Sequence, residues 1–281
     1  MNTSLAPLPN FFVVGTAKCA TTSLAQFFEQ HPEVCFCRVH EPNFFAFDAS
    51  YAKGLDFYRS RYSHFAGEPA IGEKSWRYSC VGTHPEALPR MVNDCGAFKA
   101  LYVVRDPFPR AISMWREMRD AGNQRLPADP NKALRQANII VDSSRYDTQI
   151  RRFEDALGED NVRVVLFEDF VADPTSFYQT ICDFLEISAF VPDEAIHANK
   201  SVAQRSDRPA LEIIRSLGLD EPLRKIAPER LRKFARMILK RDTREIAVSD
   251  ETRSAFLDLV GEDCGRLLDR LGRERSIWNL K

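Results

Sequence analysis

The sequence predicts an α/β fold: one domain over residues 1–281, with a mostly parallel central sheet flanked by helices. Three observations carry that expectation. Short, largely apolar runs, the first closed by a glycine, suit strands buried on both faces. Other stretches repeat apolar residues at helical spacing. The two patterns alternate along the chain, which is the order of strand–helix–strand units.

The first run, Phe11 to Val14, ends at Gly15, and Thr21 to Gln30 follows as a helix. Leu24, Phe27 and Phe28 share one face of it, and His31-Pro32 stops it. A second strand spans Phe98 to Val104 and is closed by Asp106-Pro107, with Pro107 opening a helix to about Met118. Val162 to Phe167 makes a third strand. Asp173-Pro174 then has the form of an N-cap and first-turn proline, with Phe177, Ile181, Phe184 and Leu185 as the apolar face beyond. Ser249-Asp250-Glu251 opens a long last helix, its apolar positions Phe256, Leu259, Val260, Cys264, Leu267, Leu268 and Leu271. Residues 1–10 are expected to be a flexible N-terminus. The polar segments 120–141 and 197–209 are expected to be surface loops that carry part of the active site.

Composition narrows the function. Apolar residues make up 44% and charged residues 28%, an ordinary globular balance. The net charge of -1, from 39 basic and 40 acidic residues, argues against nucleic-acid binding through bulk charge but leaves room for a local basic pocket. No apolar run approaches the roughly 20 residues that span a bilayer, and "MNTSLAPLPN" has no basic start or apolar core, so a cytoplasmic protein without membrane attachment is expected. Seven cysteines without a C-x-x-C pair suggest buried, reduced thiols. Five scattered histidines form no metal motif.

The chemistry is concentrated in four stretches. "FFVVGTAKCATTSL" runs a strand through a loop into a helix, which points backbone N–H groups and the positive helix end at an anion. Its lysine, Lys18, stands ahead of Ala20, Thr21, Thr22 and Ser23, whereas a triphosphate loop of the G-x-x-x-x-G-K-[ST] type places lysine directly before the hydroxyl residue. On these residues alone, a phosphate loop and a plain threonine-capped turn stay equally open. "LYVVRDPFPRAISMW" puts Arg105 at a strand end and Ser113 eight residues on, two turns into a helix, so a guanidinium fork and a hydroxyl can meet on one phosphate. The alternative is an arginine paired with Asp106. "HEPNFF" (40–45) and "GEKSWRY" (72–78) complete the set.

Together these stretches resemble the sulfotransferases that use 3′-phosphoadenosine 5′-phosphosulfate (PAPS), in their bacterial and heparan-sulfate-type branch. The first is similar to the family's K-x-G-T-T-S-L loop, the second to its Arg and Ser eight apart, the third to K-E-x-x-F-F and the fourth to E-K-[ST]-P-x-Y. "SRYDTQIRRFEDALGEDNVRVVLFEDF" follows the family's Tyr-x-x-Gln helix and the strand ending in Glu-Asp. The likeness runs from about Phe11 to Trp278 and is weakest over 120–141 and 200–245. Three residues depart from the pattern: Ala20 for glycine, His40 for lysine and Trp76 for proline.

The resemblance implies a P-loop-NTPase-like sulfotransferase fold and transfer of a sulfuryl group from PAPS to a hydroxyl or amine, leaving 3′-phosphoadenosine 5′-phosphate (PAP), without a metal. It assigns Glu41 as general base, with His40 as second choice. Lys18 falls on the leaving phosphate, and Lys74 on the sulfuryl oxygens or the acceptor. Lys18, Cys19, Ala20, Thr21, Thr22 and Ser23 form the 5′-phosphosulfate loop, Arg105 and Ser113 take the 3′-phosphate, and Lys200 lies on a loop that closes over the nucleotide. The acceptor is expected to be a small metabolite or glycan precursor, with Trp76, Trp115 and the 120–141 loop lining its pocket and Phe44, Phe45 and Phe47 either lining it or filling the core. Oligomeric state stays open, a homodimer among the options. Two other readings remain at this point: a P-loop small-molecule kinase using ATP and magnesium at the acidic end of "VVLFED", and a non-catalytic nucleotide-binding module with no use for Glu41.

Overall fold

A computed structural model describes residues 6–19, 21–190 and 247–280. Residues 1–195 and 248–281 belong to one compact unit; 196–247 belong to a second, of which only Ala247 is described. In the first unit five strands form one parallel sheet in the order β2-β3-β1-β4-β5. They are β1 (Phe11–Gly15), β2 (Val34–Phe36), β3 (Ala70–Lys74), β4 (Lys99–Val104) and β5 (Val162–Leu166). The central strand is β1, with Phe12 beside Glu73 of β3 on one side and Ala100 of β4 on the other.

Alternate residues of each strand face opposite sides, so the apolar runs supply two cores at once. Phe11, Val13, Val34, Phe36, Leu101, Val103 and Val165 face one side. There they meet α1 (Thr21–Gln30) and, further along the chain, the helices Phe167–Ala172 and Pro174–Leu185. Phe12, Val14, Ile71, Ala100, Tyr102, Val104 and Leu166 face the other side, where the remaining large helices lie. Among the described residues the helices after α1 are, in chain order, α2 (Asp48–Tyr51), α3 (Gly54–Arg59), α4 (Ala87–Cys95), α5 (Pro107–Asp120), α6 (Pro130–Gln136), α7 (Asn138–Asp142), α8 (Tyr146–Leu157), α9 (Phe167–Ala172), α10 (Pro174–Leu185) and α11 (Asp250–Arg270).

The predicted Asp173 cap forms, and Asp106 and Ser249 also cap the helices that follow them. Asp106 accepts from Phe108 N–H at 3.0 Å, Asp173 from Thr175 and Ser176 N–H at 3.1 Å each, and Ser249 from Thr252 N–H at 3.2 Å. In α11 the burial stripe omits Leu259, which is exposed.

The expected loop at 120–141 is corrected in its second half. Residues 130–136 and 138–142 are helical, and Ala133, Leu134 and Ile140 are buried against α5 and α11. Asp129-Pro130 repeats the cap-and-proline signature of α5 and α10, with Asp129 accepting from Asn131 N–H at 2.9 Å. The expected flexible N-terminus is also tied down at its end: Asn10 donates to Pro69 O and accepts from Ile71 N–H, both at 2.8 Å. Ala20, Lys200 and the 197–209 segment lie outside the described residues.

After β1 the chain leaves across one face towards β2; after β4 it leaves across the other towards β5. The crevice between the carboxyl ends of β1 and β4 is therefore the sheet's switch point, where open α/β sheets place their ligands. Gly15 makes the close approach there possible, since a Cβ on it would stand 2.3 Å from the Tyr102 ring. Thr16 N–H donates to Val103 O at 2.8 Å and carries the β1–β4 ladder to the edge of the crevice. No helix among the described residues is long and apolar enough to cross a membrane.

Candidate active site

The loop from Gly15 into α1 lies at the head of this crevice. Lys18 adopts a left-handed backbone (φ 72°), a conformation that costs a non-glycine residue of order 1 kcal/mol and clusters at functional sites. Its Nζ stands 3.2 Å from Glu117 Oε2 on α5. Arg105, at the end of β4, extends its Nη1 to 3.5 Å from the Lys18 carbonyl oxygen and lays its guanidinium 4.8 Å from the Phe167 ring centre. The Tyr146 hydroxyl donates to Arg105 O at 2.9 Å and fixes the strand end. Asp106 is used as the α5 cap, with its own N–H donated to Glu168 Oε1 at 3.0 Å. Arg105 thus faces the loop rather than pairing with Asp106.

Ser113 sits half-buried on the second turn of α5, and Ser23 half-buried on α1. Thr21 and Thr22 open α1. The Cys19 thiol turns into the core, and burial pushes its pKa up to about 12, so its side chain packs as a neutral group. Arg110, fully buried on α5, acts electrostatically on Cys19 more strongly than Arg105 or Lys18 does. It adds positive charge beneath the loop, held by Ser144 Oγ at 2.6 Å and Ile140 O at 3.2 Å.

The second half of the site stands at the end of β3. Lys74 Nζ lies 3.4 Å from Glu41 Oε1, with side chains only 10% and 25% exposed, and Arg77 Nη1 lies 3.9 Å from Glu41 Oε2. Burial raises the Glu41 pKa above the ordinary carboxylate value, against the lowering pull of Lys74 and Arg77; Glu117 adds a smaller upward push. That influence brings the Lys18–Glu117 pair and the Glu41–Lys74 pair into one electrostatic neighbourhood. Glu41 and Asn43 are both left-handed, at φ 52° and 50°. Two hydrogen bonds hold the strained segment: Asn43 N–H donates to Ser75 Oγ at 3.1 Å, and Asn43 Nδ2 to Glu41 O at 2.7 Å.

Beneath Lys74 lies a fully buried carboxylate, Glu73. The hydroxyls of Tyr58 and Tyr62 donate to its Oε2 at 2.8 and 3.0 Å, and that of Tyr78 to its Oε1 at 2.5 Å. Ser75 Oγ approaches Oε1 at 3.5 Å. Burial raises the Glu73 pKa, against these tyrosine hydrogen bonds. The residues of "GEKSWRY" therefore have distinct uses: Glu73 and Tyr78 anchor the strand end, Ser75 holds the Glu41 segment, and Lys74 meets the carboxylate.

Sequence reasoning brought Lys18, Arg105, Glu41 and Lys74 to this carboxyl edge. It missed Glu73, Ser75, Asn43, Arg77, Arg110 and Glu117. The available signal for Glu73 was parity, since it shares a face with Ile71 two residues before it. His40 does not join Glu41: it is exposed, with Nε2 3.8 Å from Glu29 Oε1 of α1. Phe44 and Phe45 are core, Trp76 is buried, Trp115 is half-buried with Nε1 donating to Pro127 O at 2.9 Å, and Phe47 is exposed. Gln149 of the Tyr-x-x-Gln helix is buried between the Tyr102 hydroxyl and Asp142 O. At the end of β5 Glu168 accepts from Asp106 N–H through Oε1, while its buried Oε2 has no partner among the described residues, and Asp169 pairs with Arg273 at 2.6 Å. No group of three His, Cys, Asp or Glu among the described residues is arranged to hold a metal ion.

Human heparan sulfate glucosamine 3-O-sulfotransferase 3B1 is 28% identical over 202 residues, which cover 69% of this chain and 50% of the relative. The chain thus spans about half the length of the curated relatives it matches. The membrane-associated sulfotransferase kil1 of Dictyostelium discoideum is 30% identical over 111 residues, 38% of this chain and 22% of that protein. The crystal structure of a sulfotransferase from Alicyclobacillus acidocaldarius has the same fold, with a TM-score of 0.67 at 23% identity over 97% of this chain and 99% of the other. A mouse sulfotransferase, SULT7A1, solved with PAP, aligns at a TM-score of 0.50 and 18% identity over 94% and 88% of the two chains. The family model for the sulfotransferase domain matches residues 8–212, from just before β1 past the end of α10, and on that match the chain belongs to the sulfotransferase family.

Proposed function

We propose that this chain transfers the sulfuryl group of PAPS to an acceptor hydroxyl or amine, with Glu41 as general base. The observation that carries the reading is the Glu41–Lys74 pair, 3.4 Å apart, at the same carboxyl edge as the Lys18 loop. A carboxylate whose pKa burial has raised accepts a proton more readily near neutral pH. In the proposed reaction the acceptor loses its proton to Glu41 as its oxygen or nitrogen bonds to sulfur. The bond from sulfur to the bridging oxygen breaks in line, and the electron pair stays on the 5′-phosphate of PAP. Lys18 lies where that charge develops, and Lys74 beside the sulfuryl oxygens and the base. Arg105 and Ser113 supply the fork and hydroxyl for the 3′-phosphate. The name of the curated relatives puts their transfer on an oxygen of glucosamine in heparan sulfate, which favours a hydroxyl of a small-molecule or glycan acceptor here.

The first test is calorimetric titration with PAP, AMP and ATP, each without and with magnesium. Micromolar or tighter binding of PAP with little binding of AMP is expected. Binding of magnesium-ATP without binding of PAP would overturn the reading in favour of a kinase.

A further inference from the structure

The 3₁₀ turn after β3, Trp76–Ser79, presents a guanidinium that the proposed transfer leaves unused. Arg77 lies with its Cζ 4.5 Å from the Trp76 ring centre and 5.6 Å from that of Phe47. Among the described residues its side chain makes one ion contact, the 3.9 Å approach to Glu41 Oε2, and donates no hydrogen bond. Two aromatic faces thus hold the plane of the fork while its edge of N–H donors stays uncommitted. Such an edge matches a carboxylate, sulfate or phosphate oxygen pair.

As a counter-ion for Glu41, Arg77 is the lesser partner, since Lys74 is closer at 3.4 Å and more deeply buried. Phe47 is 41% exposed, an apolar shelf open beside the charge, and the His84 ring packs edge-on against it at 5.0 Å. Both residues that shape the fork, Trp76 and Arg77, stand where the resemblance expects proline and an unspecified residue.

Resting on the sulfotransferase reading, we propose that Arg77 binds an anionic group of the acceptor itself, and that Phe47 and Trp76 flank it. The subsite selects acceptors that carry an acid close to the hydroxyl to be sulfated. With the hydroxyl hydrogen-bonded to Glu41 Oε2 and the acid to Arg77, the two oxygens stand about 4–7 Å apart. This is the spacing of a hydroxy acid on one ring.

The test titrates the PAP-saturated protein with 3-hydroxybenzoate and with its uncharged match, 3-hydroxybenzamide. The acid is expected to bind about 10-fold or more tightly than the amide. Arg77→Met should bring the two affinities level by weakening the acid alone, with PAP affinity unchanged, and Arg77→Lys should restore part of the difference. PAP binding with no preference for the acid, or an Arg77→Met variant that keeps the preference, would overturn the subsite and leave the sulfotransferase reading standing. Failure of PAP to bind at all would overturn that reading and the acceptor subsite with it.

Discussion

Replacing Glu73 by leucine and by glutamine separates what its carboxylate does from what its charge does. In Glu73→Leu the fully buried hydroxyls of Tyr58, Tyr62 and Tyr78 lose their shared acceptor. Tyr58 and Tyr62 are 3.4 Å apart and can turn to each other, so two donors rather than three are left without a partner. At about 1–3 kcal/mol for each unsatisfied buried group, less the relief of removing a buried charge, the net loss is about 3 kcal/mol. In Glu73→Gln the amide oxygen keeps Tyr58 and Tyr62, and the amide nitrogen donates to the Tyr78 oxygen once that hydroxyl turns. The cost should stay within about 1 kcal/mol, because the desolvation of the charge is also gone. Equilibrium unfolding in urea at pH 7 reads both values. Leucine costing less than about 1 kcal/mol, or glutamine costing as much as leucine, would refute the cage as a source of stability.

The same pair carries a pH signature. Burial raises the Glu73 pKa in the fold, so the native state favours its protonated form. That contribution is fully present below the unfolded glutamate value of about 4.3 and is lost as pH rises through the folded value. Glutamine has no proton to lose, so Glu73→Gln should gain stability relative to the parent protein between pH 4 and pH 7.

Four other outcomes follow from the site and its supports. Glu41→Gln should lower transfer by about 10²–10⁴-fold and leave PAP affinity unchanged. The acid limb of kcat/KM in the parent protein should lie above the ordinary glutamate pKa, because burial raises that of Glu41. Glu117→Gln removes the exposed partner that holds Lys18 Nζ at 3.2 Å, and PAP should bind about 1.5–5-fold more tightly in calorimetry, the range of a surface ion pair. Asp263 of α11 accepts the N–H groups of Asp147 and Thr148 at 2.9 and 3.1 Å and so caps α8 from a distant part of the chain. Asp263→Ala should cost about 1–2 kcal/mol in urea unfolding.

What the sequence showed plainly was whatever local pattern encodes. The runs at 11–14, 98–104 and 162–167 became β1, β4 and β5 within one residue at either end, and the Asp-Pro and Ser-Asp-Glu signatures became helix caps. Strands β2 and β3 were not legible. The first has three residues, and the second, "AIGEK", reads as polar because its glycine and glutamate are chosen by tertiary contacts. A Cβ on Gly72 would stand 2.2 Å from the Phe11 ring, and Glu73 accepts from tyrosines 5, 11 and 15 residues away. Likewise the motifs located Lys18, Arg105, Glu41 and Lys74, but Glu117 and Arg77 belong to no pattern and join the site only through the fold. His40, adjacent to Glu41 in sequence, goes to the surface because the left-handed turn at Glu41 redirects the chain between them.

The two halves of the site rest on different supports, and this makes their functions separable. The loop of Lys18 is carried by β1 against β4, where the Tyr102 ring packs on Gly15, Thr16 bonds to Val103, and Tyr146 of α8 fixes the carbonyl of Arg105. The Glu41–Lys74 pair is carried by β3, through Glu73 below and the Ser75–Asn43 bonds above. Left-handed residues stand in both halves, Lys18 in one, Glu41 and Asn43 in the other, and each is held by bonds from its own support. Loosening one support should therefore leave the other half in place. In Glu73→Leu the strand end that bears Lys74 and Ser75 loses its anchor while β1, β4 and α5 keep theirs. Turnover should fall well beyond what lost stability explains, while PAP binds the folded fraction with parent affinity. If the leucine variant lost PAP affinity and turnover in equal measure, the two halves would be one mechanical unit, and the cage would serve the whole sheet rather than Glu41 and Lys74.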